Sequence, residues 1–331
     1  MSTFAAAVLF VGVIAYAVLG GADYGAGFWD LTAGGADRGR KPRHLIDETL
    51  APVWEANHVW LIFCLVMLWT AFPQAFAAIM TTLYLPLGLA ALGIVVRGSG
   101  FAFRKVVVRT DQQRATGAAF AASSVITPFF LGTVAGGIAS GRVPADGYGD
   151  PIDSWINPTS LLGGALAVLT CAFVAAVFLT AEARRRGLSD LETWYRRRST
   201  VIAVITGAVG LAGIAILRAD ASRLFDGLTS RGLPLVLVSA ACGVTSLALL
   251  RRAKPRALQA LAVAAAGAIV AGWGVAQYPY LLGTHLRISD AAAPNPTLWA
   301  LTIVAGAAVL IVVPALALLF VLQQRGRLAD H

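Results

Sequence analysis

The chain has 331 residues, 58% hydrophobic and 13% charged, against roughly 45–50% and about 25% in an ordinary water-soluble domain. With 17 acidic residues and a mean hydropathy of +0.74, it cannot cover an aqueous surface, so a soluble globule is excluded and the bilayer is the expected solvent. The net charge of +9 would suit nucleic acid in a soluble protein, but clustering of bases on one side of a membrane accounts for it equally well.

About 20 apolar residues cross the hydrocarbon core as a helix, and nine segments qualify: 4–31, 51–72, 75–96, 115–140, 159–181, 199–217, 233–250, 257–277 and 298–322. The first is apolar from Phe4 and has no Lys or Arg before Arg38, so it reads as a membrane helix rather than a cleaved signal. Alternate connections then divide the 26 basic residues unequally. One set holds four at 38–43, five at 97–114, six at 184–198, four at 251–256 and two at 325–327. The opposite set holds only Arg142, Arg218, Arg223, Arg231 and Arg287. An excess of bases marks the cytoplasmic side. The expectation is an all-α polytopic bundle of nine transmembrane helices, N-terminus outside and C-terminus cytoplasmic, with residues 1–331 as a single transmembrane domain. The longest outer connections, 141–158 and 277–297, are too short to be domains. The basic charge is then a topology signal with a lipid-headgroup contribution, and no nucleic-acid partner is expected.

Ionisable groups at membrane depth are costly unless paired or hydrated, so each is a candidate site. The clearest are Asp23, within the glycine-rich stretch Gly20–Gly27, and Glu55 with His58 in Ala51–Trp60. Helix 1 runs inward and helix 2 returns, which places both acids at similar depth near the cytoplasmic side. Trp54, Glu55 and His58 share one helix face by their spacing. Two carboxylates with an imidazole suit proton uptake. The plainer alternatives are that the acids hydrogen-bond helix backbone or pair with cytoplasmic Arg residues. Gly21 and Gly25 suit close helix approach better than ligand binding. Cys64, Cys171 and Cys242 form neither a disulfide framework nor a metal motif. His58 is the only His well inside a span, so two facing haem ligands cannot be assembled from His residues, and no metal site is expected. These residues alone leave two classes open: a proton-coupled transporter, or a non-catalytic subunit that supports a partner. The crowding of the acids into the first two helices favours the subunit.

The stretches Gly21–Gly27 and Ile46–Ile62, above all Trp54-Glu55-Ala56-Asn57-His58-Val59-Trp60, resemble subunit II of cytochrome bd-type quinol oxidases. The resemblance continues through 101–104, 128–132, 157–164, 278–282 and 288–291 and so covers nearly the whole chain, with Gly283 standing where a proline often follows the Tyr-Pro segment. It implies a nine-helix subunit paired with a subunit I that carries haem b, haem d and the quinol site, in a bacterial cytoplasmic membrane. It also implies that Glu55 brings protons from the cytoplasm, with Asp23 and His58 as further candidates, and that Trp54, Asn57, Trp60, Gly21 and Gly25 belong to motif or interface. The expected complex reduces oxygen to water. A small single-helix accessory subunit and a bound lipid or quinone are left open. A stand-alone proton-coupled transporter is the alternative reading, and a transiently associating assembly factor is a third.

Overall fold

A computed structural model describes residues 1–50, 54–106, 110–252 and 254–324; within these, the side chains of 36, 50, 54–56, 101–106, 110–115, 313, 316, 319–320 and 322–324 lie outside the description. The described chain is almost wholly helical. α1 (Ser2–Ala15) passes through a π turn (Tyr16–Gly20) into α2 (Gly21–Leu31), and α3 (Ala36–Leu50) follows. Next come α4 (Trp54–Ala71), α5 (Pro73–Thr82), α6 (Tyr84–Val106), α7 (Thr110–Ala139), α8 (Pro158–Arg185) and α9 (Ser189–Asp220). The last part holds α10 (Ser222–Thr229), α11 (Leu233–Leu249), α12 (Pro255–Gln277), a hairpin of β1 (Tyr280–Leu282) and β2 (Leu286–Arg287), α13 (Ile288–Ala291) and α14 (Asn295–Gln324).

Each expected apolar segment falls mainly on helix in its described residues. Among the described residues, six helices are long and apolar enough to cross a membrane, and the number rises to eight if each of two bent pairs counts as one span. One bent pair is Asn57–Ala71 with Pro73–Thr82, at 117°; the other is Ser222–Thr229 with Leu233–Leu249, at 75°.

The expected continuous helix over 75–96 is instead two helices, α5 and α6. Pro86 explains the break: it has no N–H to donate to Thr82, and its ring crowds the Thr82 carbonyl. Proline also turns the chain before α5, where Phe72 takes φ −138° and ψ 62° ahead of Pro73. The carbonyl of Ala71, stranded at the end of α4, accepts from the Ala293 N–H at 2.8 Å. Outside the expected spans, α3, α10 and the hairpin are additions that apolar runs do not reveal.

Small residues set the helix spacing in the middle of the bundle. A Cβ on Gly136 or Gly163 would enter the backbone of the facing helix, so α7 and α8 approach at van der Waals distance of their main chains. The start of α8 is fixed by Asn157, whose side chain accepts from the Ser160 N–H at 2.9 Å, with Pro158 in the first turn. Buried side chains gather into two main clusters. One, around Trp29, Phe173, Tyr195 and Leu258, lies toward the arginine-rich end; the other, around Phe72, Leu83, Val143 and Leu298, lies toward the hairpin end.

Polar clamps close both ends. At the arginine-rich end Asp30 accepts from Arg43 at 2.7 Å, Glu182 holds Arg185 and Arg186, and Arg186 also reaches Glu48. At the hairpin end Asp220 accepts from Arg142 and from the Thr159 hydroxyl, each at 2.6 Å, and from the Thr159 N–H at 3.1 Å. It thereby ties the end of α9 to the start of α8. Asp220→Ala strands an arginine and a helix-end N–H, and is expected to lower stability by about 1.5–3 kcal/mol. Thermal unfolding in detergent measures this, and an unchanged midpoint would show that solvent replaces the clamp. Near that end, Tyr280 lies beneath Arg223 (4.0 Å) and Arg287 (5.5 Å), and hydrogen bonds from Arg287 and Arg223 hold its phenol below its usual range. Gly283 turns the hairpin at φ +48°, a conformation closed to proline.

Candidate functional site

The site is built where α2, α4, α6 and α7 meet. Asp23 in the first turn of α2 is 3% exposed, and the arginine it meets, Arg97 of α6, is 1% exposed. Arg97 Nη2 donates to Asp23 Oδ1 at 2.6 Å and to the Asp23 carbonyl at 3.1 Å, while Nη1 donates to Ser124 Oγ of α7. The Ser124 hydroxyl in turn donates to the Phe120 carbonyl at 2.7 Å. The guanidinium carbon lies 4.4 Å from the Phe120 ring and 5.0 Å from the Tyr24 ring, so aromatic faces shield the cation on two sides.

This geometry answers a physical demand. A lone carboxylate in hydrocarbon is too costly to retain, whereas one paired with a cation on a second helix is tolerated. Arg97 suits the role because its planar fork serves the Asp23 side chain, the Asp23 backbone and Ser124 at once. Gly27 makes room, since a Cβ there would press on Ser124 and come within 3.1 Å of Arg97.

The pair is not fully satisfied: Asp23 Oδ2 and Arg97 Nε are buried without a hydrogen-bond partner among the described residues. His58 of α4 lies in the same electrostatic neighbourhood as Asp23. Its neighbour Asn57 donates to the Leu19 carbonyl in the π turn at 3.2 Å, which anchors α4 to the distorted turn just before Asp23. Tyr16 and Tyr24 join hydroxyls at 3.0 Å across the same turn. π turns of this kind concentrate at functional positions.

The remaining expected residues distribute as follows. The side chains of Glu55 and Trp54 lie outside the described residues; their backbone opens α4, one turn before His58. Trp60 meets Phe63 edge-on at 6.2 Å, and its indole N–H is buried without a partner among the described residues. Gly21 faces the Cys171 sulfur, and Gly25 faces the Cys171 main chain on α8. One turn further on, the Trp29 indole donates to the Ala172 carbonyl at 2.8 Å.

Arg97 corrects the sequence reading, which counts it among cytoplasmic loop bases. It sits inside the bundle because α6 continues to Val106, well past the first charge. The signal is its setting in Arg97-Gly98-Ser99-Gly100, small residues that let α7 close over it, together with Ser123-Ser124 on α7. At Gly100 a Cβ would already crowd the Thr116 carbonyl at 3.1 Å.

Long apolar helices around a buried acid–base cluster define a multi-pass helical membrane protein. The family model described as cytochrome bd terminal oxidase subunit II matches residues 1–323, and the chain belongs to that family. Among curated proteins it is similar to cytochrome bd ubiquinol oxidase subunit 2 of Bacillus subtilis (strain 168), 28% identical over 253 residues, 75% of this chain and 71% of the relative. It is also similar to cytochrome bd-I ubiquinol oxidase subunit 2 of Escherichia coli (strain K12), 27% identical over 219 residues. That match covers 63% of this chain and 56% of the relative, so it spans just over half of the Escherichia coli protein. Among solved structures, the bd oxidase from Geobacillus thermodenitrificans contains a chain that superposes with a TM-score of 0.81 at 25% identity, over 96% of this chain and 97% of that one. Family membership favours the oxidase-subunit reading over the transporter.

Proposed function

We propose that this chain is the second subunit of a quinol:oxygen oxidoreductase, seated against a haem-bearing subunit I in a bacterial cytoplasmic membrane. In this reading it is one domain crossing the membrane nine times, N-terminus outside, and it leads cytoplasmic protons toward the oxygen-reduction site. Haem b and haem d belong to subunit I, and quinol is the electron donor. The donor set here does not fit a haem held by two imidazoles, because His58 is the one histidine inside an expected span. No step is therefore assigned to haem on this chain.

The observation that supports the reading most directly is the Asp23–Arg97 pair with His58 beside it, a buried ionisable cluster on the side of the bundle where α4 lies. Glu55 would take a proton at the cytoplasmic entrance to α4, with Asp23 and His58 as further members of its route. Arg97 fixes Asp23 in orientation. Trp54, Asn57 and Trp60, with Gly21 and Gly25, would hold the helices that carry the route. Because α4 carries this route, it has to abut the protein that consumes the protons. The exposed faces of α4 (Val59, Ile62, Val66, Trp69) and of α14 (Trp299, Ile303, Leu310) repeat at helical spacing and supply an apolar seat for subunit I.

Glu55→Gln keeps the shape and removes the ionisable proton. In the purified complex it is expected to slow oxygen reduction on the order of a hundredfold with the haem bands of the reduced-minus-oxidised spectrum unchanged. Undiminished turnover would overturn the proton role, and a haem-free preparation of the unaltered chain would overturn the oxidase assignment itself.

A further inference from the structure

We propose that the arginine-rich end of the bundle, between the start of α9 and the turn joining α11 to α12, holds the headgroup of an anionic phospholipid. Arg184 at the end of α8 organises the place. Its guanidinium donates to Glu192 of α9 at 2.8 Å and to the Leu250 carbonyl at the end of α11. Leu250 is buried, and the turn beyond it is closed by the Arg252 N–H donating to the Leu249 carbonyl at 3.0 Å. Arg251 and Arg252 are thus held within about 7 Å, main chain to main chain, of a fixed point between α8 and α9.

The charges there do not balance. Glu192 is shared by Arg184 and by Arg196, the latter at 3.6 Å. Arg197, Arg251, Arg252 and Lys254 are exposed and make no ion pair among the described residues. The other acid close in sequence is Asp190, exposed at the start of α9. Elsewhere at this end Glu182 and Glu48 are occupied by Arg185 and Arg186. Arg251 and Arg252, adjacent in the chain, exposed and without an ion pair among the described residues, call for an anion.

The neighbouring surface gives the anion its chemistry. Val201 and Val204 lie one to two turns along α9 from Arg197, and Val244 and Leu249 lead along α11 to Arg251; all four are exposed. α11 packs chiefly along α12 and only lightly against α9, so aliphatic rows flank the basic cluster. Trp194 carries the Arg198 guanidinium 3.2 Å above its ring, an amphipathic pair suited to the depth of a headgroup. A phosphodiester at the arginines with acyl chains along these rows satisfies both surfaces, which free phosphate does not. The proposal rests on insertion of the chain in a membrane, not on its proton role.

Native mass spectrometry of the protein, extracted with whatever partner accompanies it and titrated with phosphatidylglycerol, phosphatidylcholine or inorganic phosphate, tests the site. Phosphatidylglycerol is expected to bind preferentially and to dissociate as salt rises. R251Q/R252Q should weaken it about thirtyfold, and R251K/R252K should retain it, which separates lost charge from lost fold. Equal retention of phosphatidylcholine, unchanged binding in R251Q/R252Q, or displacement of the lipid by millimolar phosphate would each overturn the proposal.

Discussion

Replacing Arg97 by methionine is expected to destabilise the folded protein by about 3–5 kcal/mol, because it leaves the Asp23 carboxylate buried with no cation. Asp23 is 3% exposed and cannot turn to water, and Arg97 supplies the one hydrogen bond its carboxylate makes among the described residues, at 2.6 Å. The loss appears as a low yield of monodisperse protein and a lower unfolding midpoint. Arg97→Lys should fall between, since one ammonium cannot serve Asp23 Oδ1, the Asp23 carbonyl and Ser124 together. The decisive comparison is Asp23→Leu combined with Arg97→Met. If the pair is a true buried ion pair, removing both charges recovers most of the stability that removing one destroys. A double variant as unstable as Arg97→Met would place the loss in packing around Phe120 and Tyr24. If Asp23 also serves the proton route, the recovered double variant remains slow in oxygen reduction, so stability and turnover separate.

The helices were legible because hydrocarbon leaves a helix little choice: long apolar runs with sparse charge have to satisfy their own backbone. What disrupts a run was harder to read. Pro86 splits one apolar stretch into α5 and α6, and composition over a window does not register a single missing N–H. Arg97 was hidden for a related reason. A charge ends an apolar window, so the sequence places it in a loop, although its partner Asp23 stands 74 residues earlier and only the tertiary fold joins them. Asp23, Glu55 and His58 stand out because ionisable residues are rare at that depth, and the opposite directions of the first two expected helices bring the two acids to one level. The α3 helix, which docks by the Tyr195 hydroxyl on the Pro42 carbonyl at 3.1 Å and by the Arg43–Asp30 pair, is polar and short, and its register depends on partners far along the chain.

Gly25→Ala, a change of one methyl group, is expected to rival the Arg97 substitution in effect. The added Cβ would fall on the Cys171 carbonyl group and within 2.7 Å of the Ala175 Cβ. Neither contact is with atoms that a side-chain rotation can move, so α2 and α8 have to separate. Overpacking of this kind costs about 1–3 kcal/mol, and separation also breaks the Trp29 to Ala172 hydrogen bond, which adds about 1 kcal/mol. Gly207→Ala is the matched control, because Gly207 of α9 is exposed with nothing near its missing Cβ, and there alanine should stabilise by up to about 1 kcal/mol. The two substitutions should therefore move the unfolding midpoint in opposite directions. Equal midpoints would mean that α2 and α8 do not approach as closely as their backbones indicate. Asp23 lies two residues from Gly25 on the same helix, so any shift of α2 away from α8 also changes its distance from Arg97. A Gly25→Ala protein that remains folded should accordingly lose oxygen-reduction turnover beyond its loss of stability, which makes the glycine motif part of the site through the position it gives the carboxylate.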